Sequence, residues 1–427
     1  MATTGRTGIS LAFEEHRLDN GLRVILHEDR SSPVVAVHLM YHVGSKDERP
    51  GRTGFAHLFE HLLFQGSEHV PRDGHFRYIQ EAGGTLNGST WFDRTNYFET
   101  LPANELDLAL WLESDRMGWF ASSITPEKLD NQREVVKNER RQSYENRPYG
   151  LAFENLLAIA YPEGHPYRHP TIGYMEDLDA ASLDDVRDFF DRFYGPNNAV
   201  LVLAGDLPTD AIRRVDRWFG EIPPRERPPP VLVPMAGNGE VRRTLTDRVQ
   251  VPRVYLLYHS PPFGDPSFEA GDVLTFLLAD GKSSRLYREL VYERRIAAEV
   301  QAFTWPTERV GMLIVVATAR PGVAAGTLEE GIAETLEATR GREPPAEEME
   351  GARNRARRSL VARLDGMGSR ADAFAHAAML RDDPGYVNEA FGRYAAVGGE
   401  EVAAVARKLL RAENGAVVYV VPEASDG

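Results

Sequence analysis

The sequence predicts an α+β protein of two homologous domains produced by an internal duplication, each a mostly antiparallel sheet covered on one face by helices. Three observations predict it. Residues 34–45 (VVAVHLMYHVGS) resemble 251–262 (VPRVYLLYHSPP), with Tyr41 matched to Tyr258 at an offset of 217. Residues 198–203 (NAVLVL) match 415–420 (GAVVYV) at the same offset, each preceded by a similar helical pattern, 182–194 and 399–411. Distant stretches sharing one offset mark two copies of one unit. Between the copies, six of the twelve residues from Pro223 to Pro234 are proline, which reads as a stiff extended linker. The predicted division is a domain over 1–222, a linker over 223–236 and a second domain over 237–427.

Within each copy, short apolar or alternating runs read as strands: 23–27, 34–42 and 199–204, then 252–258, 311–318 and 416–421. They interleave with longer helical patterns, as in a sheet with helices packed on it. The 427 residues suffice for two or three domains. A net charge of -15 argues against a nucleic-acid partner. No cysteine is present, so disulfides, thiolate nucleophiles and Cys-ligated metals are excluded, and any metal must sit on His and carboxylate ligands. Glu14, Glu15 and Asp19 interrupt the first 30 residues, so no apolar signal core is expected there. No run approaches the roughly 18 apolar residues of a membrane span. The expectation is a cytoplasmic protein without a membrane partner.

The chemistry-bearing stretch is 54–64, GFAHLFEHLLF. On a helix, His57, Glu60 and His61 fall on one face. Apolar residues surround them, as in a buried helix. An unpaired carboxylate there costs several kcal/mol, so Glu60 needs a cation or a water-filled cleft. Two imidazoles one turn apart suit a shared zinc ion. The alternative, two core histidines satisfied by backbone carbonyls, leaves Glu60 unexplained.

A catalytic zinc needs a third protein ligand. Thr125, Pro126 and Glu127 mark a helix start, and the helical pattern runs on toward Pro148. Leu129, Gln132, Val136, Glu139 and Ser143 share one face of it, while Lys137, Arg140 and Arg141 lie mostly elsewhere. Glu139 therefore points to the core and wants a cation. Alone, it reads as a buried salt bridge more readily than as a ligand; the two histidines turn the balance toward ligation.

The order H-L-F-E-H, with an acid 78 residues after the second His, resembles the inverzincins, the pitrilysin-type zinc peptidases. The resemblance extends over 44–48 (GSKDE), 54–67, 83–90 (GGTLNGST), 111–117 (WLESDRM), 132–139 (QREVVKNE) and 281–287 (GKSSRLY). In its two-copy layout the chain looks most like mitochondrial processing peptidase subunits of the beta type and their bacterial two-chain relatives. The resemblance implies that His57, His61 and Glu139 bind one zinc ion and that Glu60 activates its water. It implies an endopeptidase acting on extended or unfolded peptides inside a chamber. It further implies that substrate adds as a strand beside 84–90, with Asn87, Gly88 and Ser89 as contacts.

One departure is Gln132, where many relatives carry a second acid; its carboxamide is expected to act from behind the ligands. His165 and His169, and His69 and His75, flank turns rich in Pro and Gly and read as loop residues. In the second copy Asp272, Thr275 and Phe276 align with His57, Glu60 and His61, so one metal site per chain is expected.

Self-sufficient relatives carry an Arg and, seven residues later, a Tyr in the second half. Here those positions hold Val291 and Ala298, neither of which has a side-chain donor. Arg285 and Tyr287 belong to the preceding signature. The resemblance therefore implies a heterodimer in which a homologous zinc-free subunit supplies the Arg/Tyr clamp. The alternative to the heterodimer is a homodimer that works with only the metal and the edge strand; the alternative to the peptidase function is a non-catalytic assembly or scaffold subunit of the same fold.

Overall fold

A computed structural model describes residues 10–226, 229–234 and 239–423. The leader reading therefore falls partly on residues outside the described ones, as does the linker reading. The described residues of 223–234 form neither helix nor strand.

Two sheets organise the chain. The first contains β1 (Glu14–Arg17), β2 (Arg23–Glu28), β3 (Val34–Tyr41), β4 (Thr85–Thr90), β5 (Thr95–Pro102) and β6 (Ala199–Gly205), in the order β1-β2-β6-β3-β5-β4. The second contains β7 (Val241–Asp247), β8 (Arg253–Ser260), β9 (Ala297–Trp305), β10 (Gly311–Ala319) and β11 (Gly415–Pro422), in the order β7-β11-β8-β10-β9. Apart from the added β1, the two orders correspond strand for strand. Each sheet has one parallel pair, β2 with β6 and β7 with β11, and is otherwise antiparallel. The matched topology is the structural form of the 217-residue repeat.

The compact units are not contiguous halves of the chain. Of the described residues, one comprises those up to Asn138 and those within Pro170–Val231 and Ala362–Glu389; the other comprises Glu139–His169, those within Leu232–Val361 and those from Ala390 onward. The limit at Asn138 falls inside one continuous helix, Pro126–Arg140. The Met367–Arg381 helix thus belongs to the first unit and packs on β3 and β6. Reciprocally, the Ala152–Ala160 helix belongs to the second unit and packs on β7, β8 and β11.

Strand alternation assigns the faces. In the first sheet, Tyr41 and Tyr97 face the Phe55–Leu62 and Leu106–Ser123 helices. His38 and Asn96 face the Met367–Arg381 helix, where His38 Nε2 lies 3.6 Å from Asp372 Oδ1. Helices thus cover both faces of this sheet and not the one face expected, because the Met367–Arg381 helix comes from the far half of the chain; this explains why all seven residues of β6 are buried and read as a continuous apolar run. Among the described residues, no helix is long and apolar enough to cross a membrane.

Candidate metal centre

The HLFEH segment forms the Phe55–Leu62 helix. Its apolar residues Phe55, Ala56, Leu58, Phe59 and Leu62 are buried, and Phe59 stacks on Tyr194. His57, Glu60 and His61 are half-buried on the remaining face.

The start of this helix is built with care. Gly54 has φ 84°, and a Cβ there would lie 2.5 Å from Ile172 O, so this approach requires glycine. Glu48, from the GSKDE stretch, accepts the N–H of Gly54 at 2.9 Å and of Ala56 at 2.8 Å. It satisfies two of the orphan donors at the helix start and puts a carboxylate at the positive end of the dipole. Burial pushes the Glu48 carboxyl well above the usual range, and the two backbone donors oppose that. Thr53 is fixed in turn by Asp177, which accepts its N–H at 3.0 Å and its hydroxyl at 2.5 Å.

The third ligand candidate lies on the Pro126–Arg140 helix, which begins as predicted: Thr125 Oγ1 accepts the Lys128 N–H at 3.2 Å. Leu129, Gln132 and Val136 are buried, and Glu139 is half-buried on the same face. Ser143 departs from the expected face and is exposed, because residues Arg141–Glu145 form a π turn that shifts the register. Arg140 is buried, contrary to its expected placement, where Glu154 lies 2.9 Å and Glu145 3.4 Å from its guanidinium.

Donor atoms of His57, His61 and Glu139 all lie within 4.8 Å of one another, the one such His/Asp/Glu group among the described residues. The imidazole rings are 4.7 Å apart at 74°. Two histidines and one glutamate are a known donor set for catalytic zinc, and the half-exposure of all three leaves room for water or substrate. The residues fit a zinc ion.

Beside this group runs β4, which pairs with β5 on one side and with no strand on the other among the described residues. Asn87 is exposed and its Oδ1 accepts the Gly88 N–H at 2.9 Å; Ser89 donates to Asn96 Oδ1 at 2.7 Å. Gly88 lies against the helix, where an added Cβ would meet Glu60 Cγ at 3.1 Å. The neighbouring Thr90 donates from Oγ1 to Glu60 Oε2 at 2.7 Å. Sequence reasoning missed Thr90. Only the alternation within 85–90, which turns residues 86, 88 and 90 to one face, was available to point to it.

Gln132 donates from Nε2 to Asn131 Oδ1 at 2.9 Å. His165 stacks on Tyr161 at 4.2 Å and its Nε2 lies 3.0 Å from Pro234 O, a loop role. His69 Nδ1 sits 2.5 Å from Asp115 Oδ1. Within WLESDRM, Arg116 and Glu113 form a fully buried ion pair at 3.1 Å, with the guanidinium over the Tyr97 ring.

In the second unit the counterpart helix is Phe268–Ala279. Asp272 accepts the hydroxyls of Thr304 and Tyr394, each at 2.7 Å, in place of any metal-binding arrangement. Val291 is buried and Ala298 exposed, while Arg285 is tied to Glu348 at 2.7 and 2.8 Å.

Residues 23–173 match the family model described as Insulinase (Peptidase family M16), and residues 180–356 match that of the Peptidase M16 inactive domain. The chain is 28% identical over 378 residues to Zinc protease PqqE of Helicobacter pylori, covering 87% of this chain and 84% of that protein. It is 24% identical over 420 residues to Uncharacterized zinc protease YmxG of Bacillus subtilis, covering 96% and 98% of the two chains. The crystal structure of a protease from Helicobacter pylori superimposes with a TM-score of 0.89 at 25% identity, covering 96% of this chain and all of that one. With both halves matched in order, and with relatives named zinc proteases, the chain belongs to the pitrilysin-type peptidase family M16.

Proposed function

We propose that this chain is a zinc-dependent endopeptidase that hydrolyses extended peptides, with Glu60 as the general base. The observation that carries the reading is the convergence of His57, His61 and Glu139 next to Glu60, which itself lies against the edge strand β4. His57, His61 and Glu139 would hold the ion. Zinc bound there supplies Lewis-acid polarisation of the scissile carbonyl and lowers the pKa of water to about 7. Glu60 takes the proton of the attacking water and returns it to the leaving amine. The edge of β4 that pairs with no strand among the described residues is where a substrate strand would add, which favours extended over folded peptides.

The same reading makes the chain the catalytic member of a heterodimer. The side chains of Val291 and Ala298 provide no hydrogen-bond donor for a developing oxyanion, and Arg285 is engaged by Glu348. A homologous zinc-free subunit would supply the missing Arg and Tyr. The test is cleavage of fluorogenic peptides by the zinc-loaded chain, alone and with such a subunit. Metal-dependent hydrolysis supports the reading; its absence in both conditions overturns it.

A further inference from the structure

Glu60 touches the edge strand at two points. Its Cγ packs against the backbone of Gly88, where an added Cβ would come within 3.1 Å, and its Oε2 accepts the Thr90 hydroxyl at 2.7 Å. The same hydroxyl lies 3.4 Å from Ala56 O, but it has a single proton, and the shorter contact to a carboxylate is the stronger one.

Strand β4 is itself held firmly at this point. Thr90 pairs with Thr95 across the hairpin, and the Trp91 N–H donates to Arg94 O at 2.9 Å. Arg94 Nη1 donates to both Ser89 O at 2.8 Å and Ser89 Oγ at 2.7 Å, while Ser89 Oγ donates to Asn96 Oδ1 at 2.7 Å. The residue before Thr90 is thus locked from the opposite face of the sheet. A glutamate side chain has three rotatable bonds, and a base must meet its proton within about 2.6–3.2 Å. Fixing one carboxylate oxygen to a rigid strand removes much of that freedom.

We infer that Thr90 is a positioning residue for Glu60, holding the carboxylate in register with a peptide bound along β4. This rests on the peptidase reading above. Its consequence is that the base and the substrate-binding edge share one platform, so that a substrate aligned on β4 is aligned to Glu60. The competing reading is a purely structural bond. It has a precedent in the second unit, where Thr304 donates to Asp272 from the corresponding edge strand without a metal group nearby.

Steady-state kinetics on zinc-loaded wild type, Thr90→Val, Thr90→Ala and Thr90→Ser separate the two, with zinc content and thermal unfolding measured on each. The positioning role predicts that Val and Ala lower kcat about 10- to 100-fold with KM within about twofold, and that Ser restores most of the rate. Zinc content stays at that of the wild type in all three. Wild-type kcat in Thr90→Val or Thr90→Ala, a Ser variant as slow as Ala, or a rate loss that follows zinc loss or unfolding overturns the role. A wild-type chain that binds zinc but hydrolyses no peptide, either alone or with the zinc-free homologue, overturns the peptidase reading, and this role with it.

Discussion

Glu48 Oε1 accepts the backbone N–H of Ala56 at 2.8 Å, joining a loop carboxylate to the first turn of the helix that carries His57 and His61. The bond is part-buried, and its loss leaves donors at Gly54 and Ala56 without this acceptor. Glu48→Ala is expected to cost about 1–3 kcal/mol. Thermal unfolding should show the loss, and a chelator should strip zinc faster from this variant because the two histidines lose a fixed support.

The proposed roles predict that metal binding and catalysis separate at Glu60. Glu60→Gln keeps the side-chain shape and an acceptor for Thr90 but cannot take a proton. Zinc content should be unchanged while peptide cleavage falls by about 100-fold or more. Near-normal turnover in this variant would require a different base.

The sheet face opposite the metal group carries a proton-sensitive residue. His38 is fully buried between β3 and the Met367–Arg381 helix, and burial pulls its pKa from 6.5 to about 4, with His376 and Arg94 acting the same way and Asp372 opposing. Asn96 Nδ2 lies 3.1 Å from His38 Nε2, consistent with a neutral ring that accepts there. The unfolded chain takes up a proton near pH 6.5 and the folded one only near pH 4. This contribution is therefore fully present above pH 6.5 and is lost as pH falls toward 4, by about 3 kcal/mol in all. Denaturant unfolding at pH 7 and pH 5 should show a smaller stability difference in His38→Gln than in wild type.

Much of this architecture was legible because it is local or repeated. The HLFEH stretch shows its face directly, and Leu129 and Val136 reveal the direction of Glu139 through helical spacing alone. The repeat was visible because β3 and β8, and β6 and β11, are central strands whose apolar runs are dictated by burial on both faces. The edge strand β9, with Glu299 and Gln301 exposed, carries a weaker pattern and was not anticipated. Nor was the exchange of the Ala152–Ala160 and Met367–Arg381 helices between units, since an amphipathic pattern says that a helix packs without saying on which sheet. The π turn after Arg140 and the Thr90 contact depend on tertiary packing in the same way.

The proposed heterodimer gives a prediction about partners. If a zinc-free homologue supplies the Arg and Tyr, this chain alone should cleave peptides weakly, and adding the homologue should raise kcat/KM at constant zinc content. Full activity without a partner would contradict the heterodimer proposal while leaving the metal assignment intact.

Whether His57, His61 and Glu139 hold one zinc ion is tested most directly by elemental analysis of purified wild type, His57→Ala, His61→Ala and Glu139→Gln. The expected result is about one zinc per wild-type chain, with little retained in each variant after dialysis while all remain folded. Zinc content in folded variants equal to that of the wild type would contradict it.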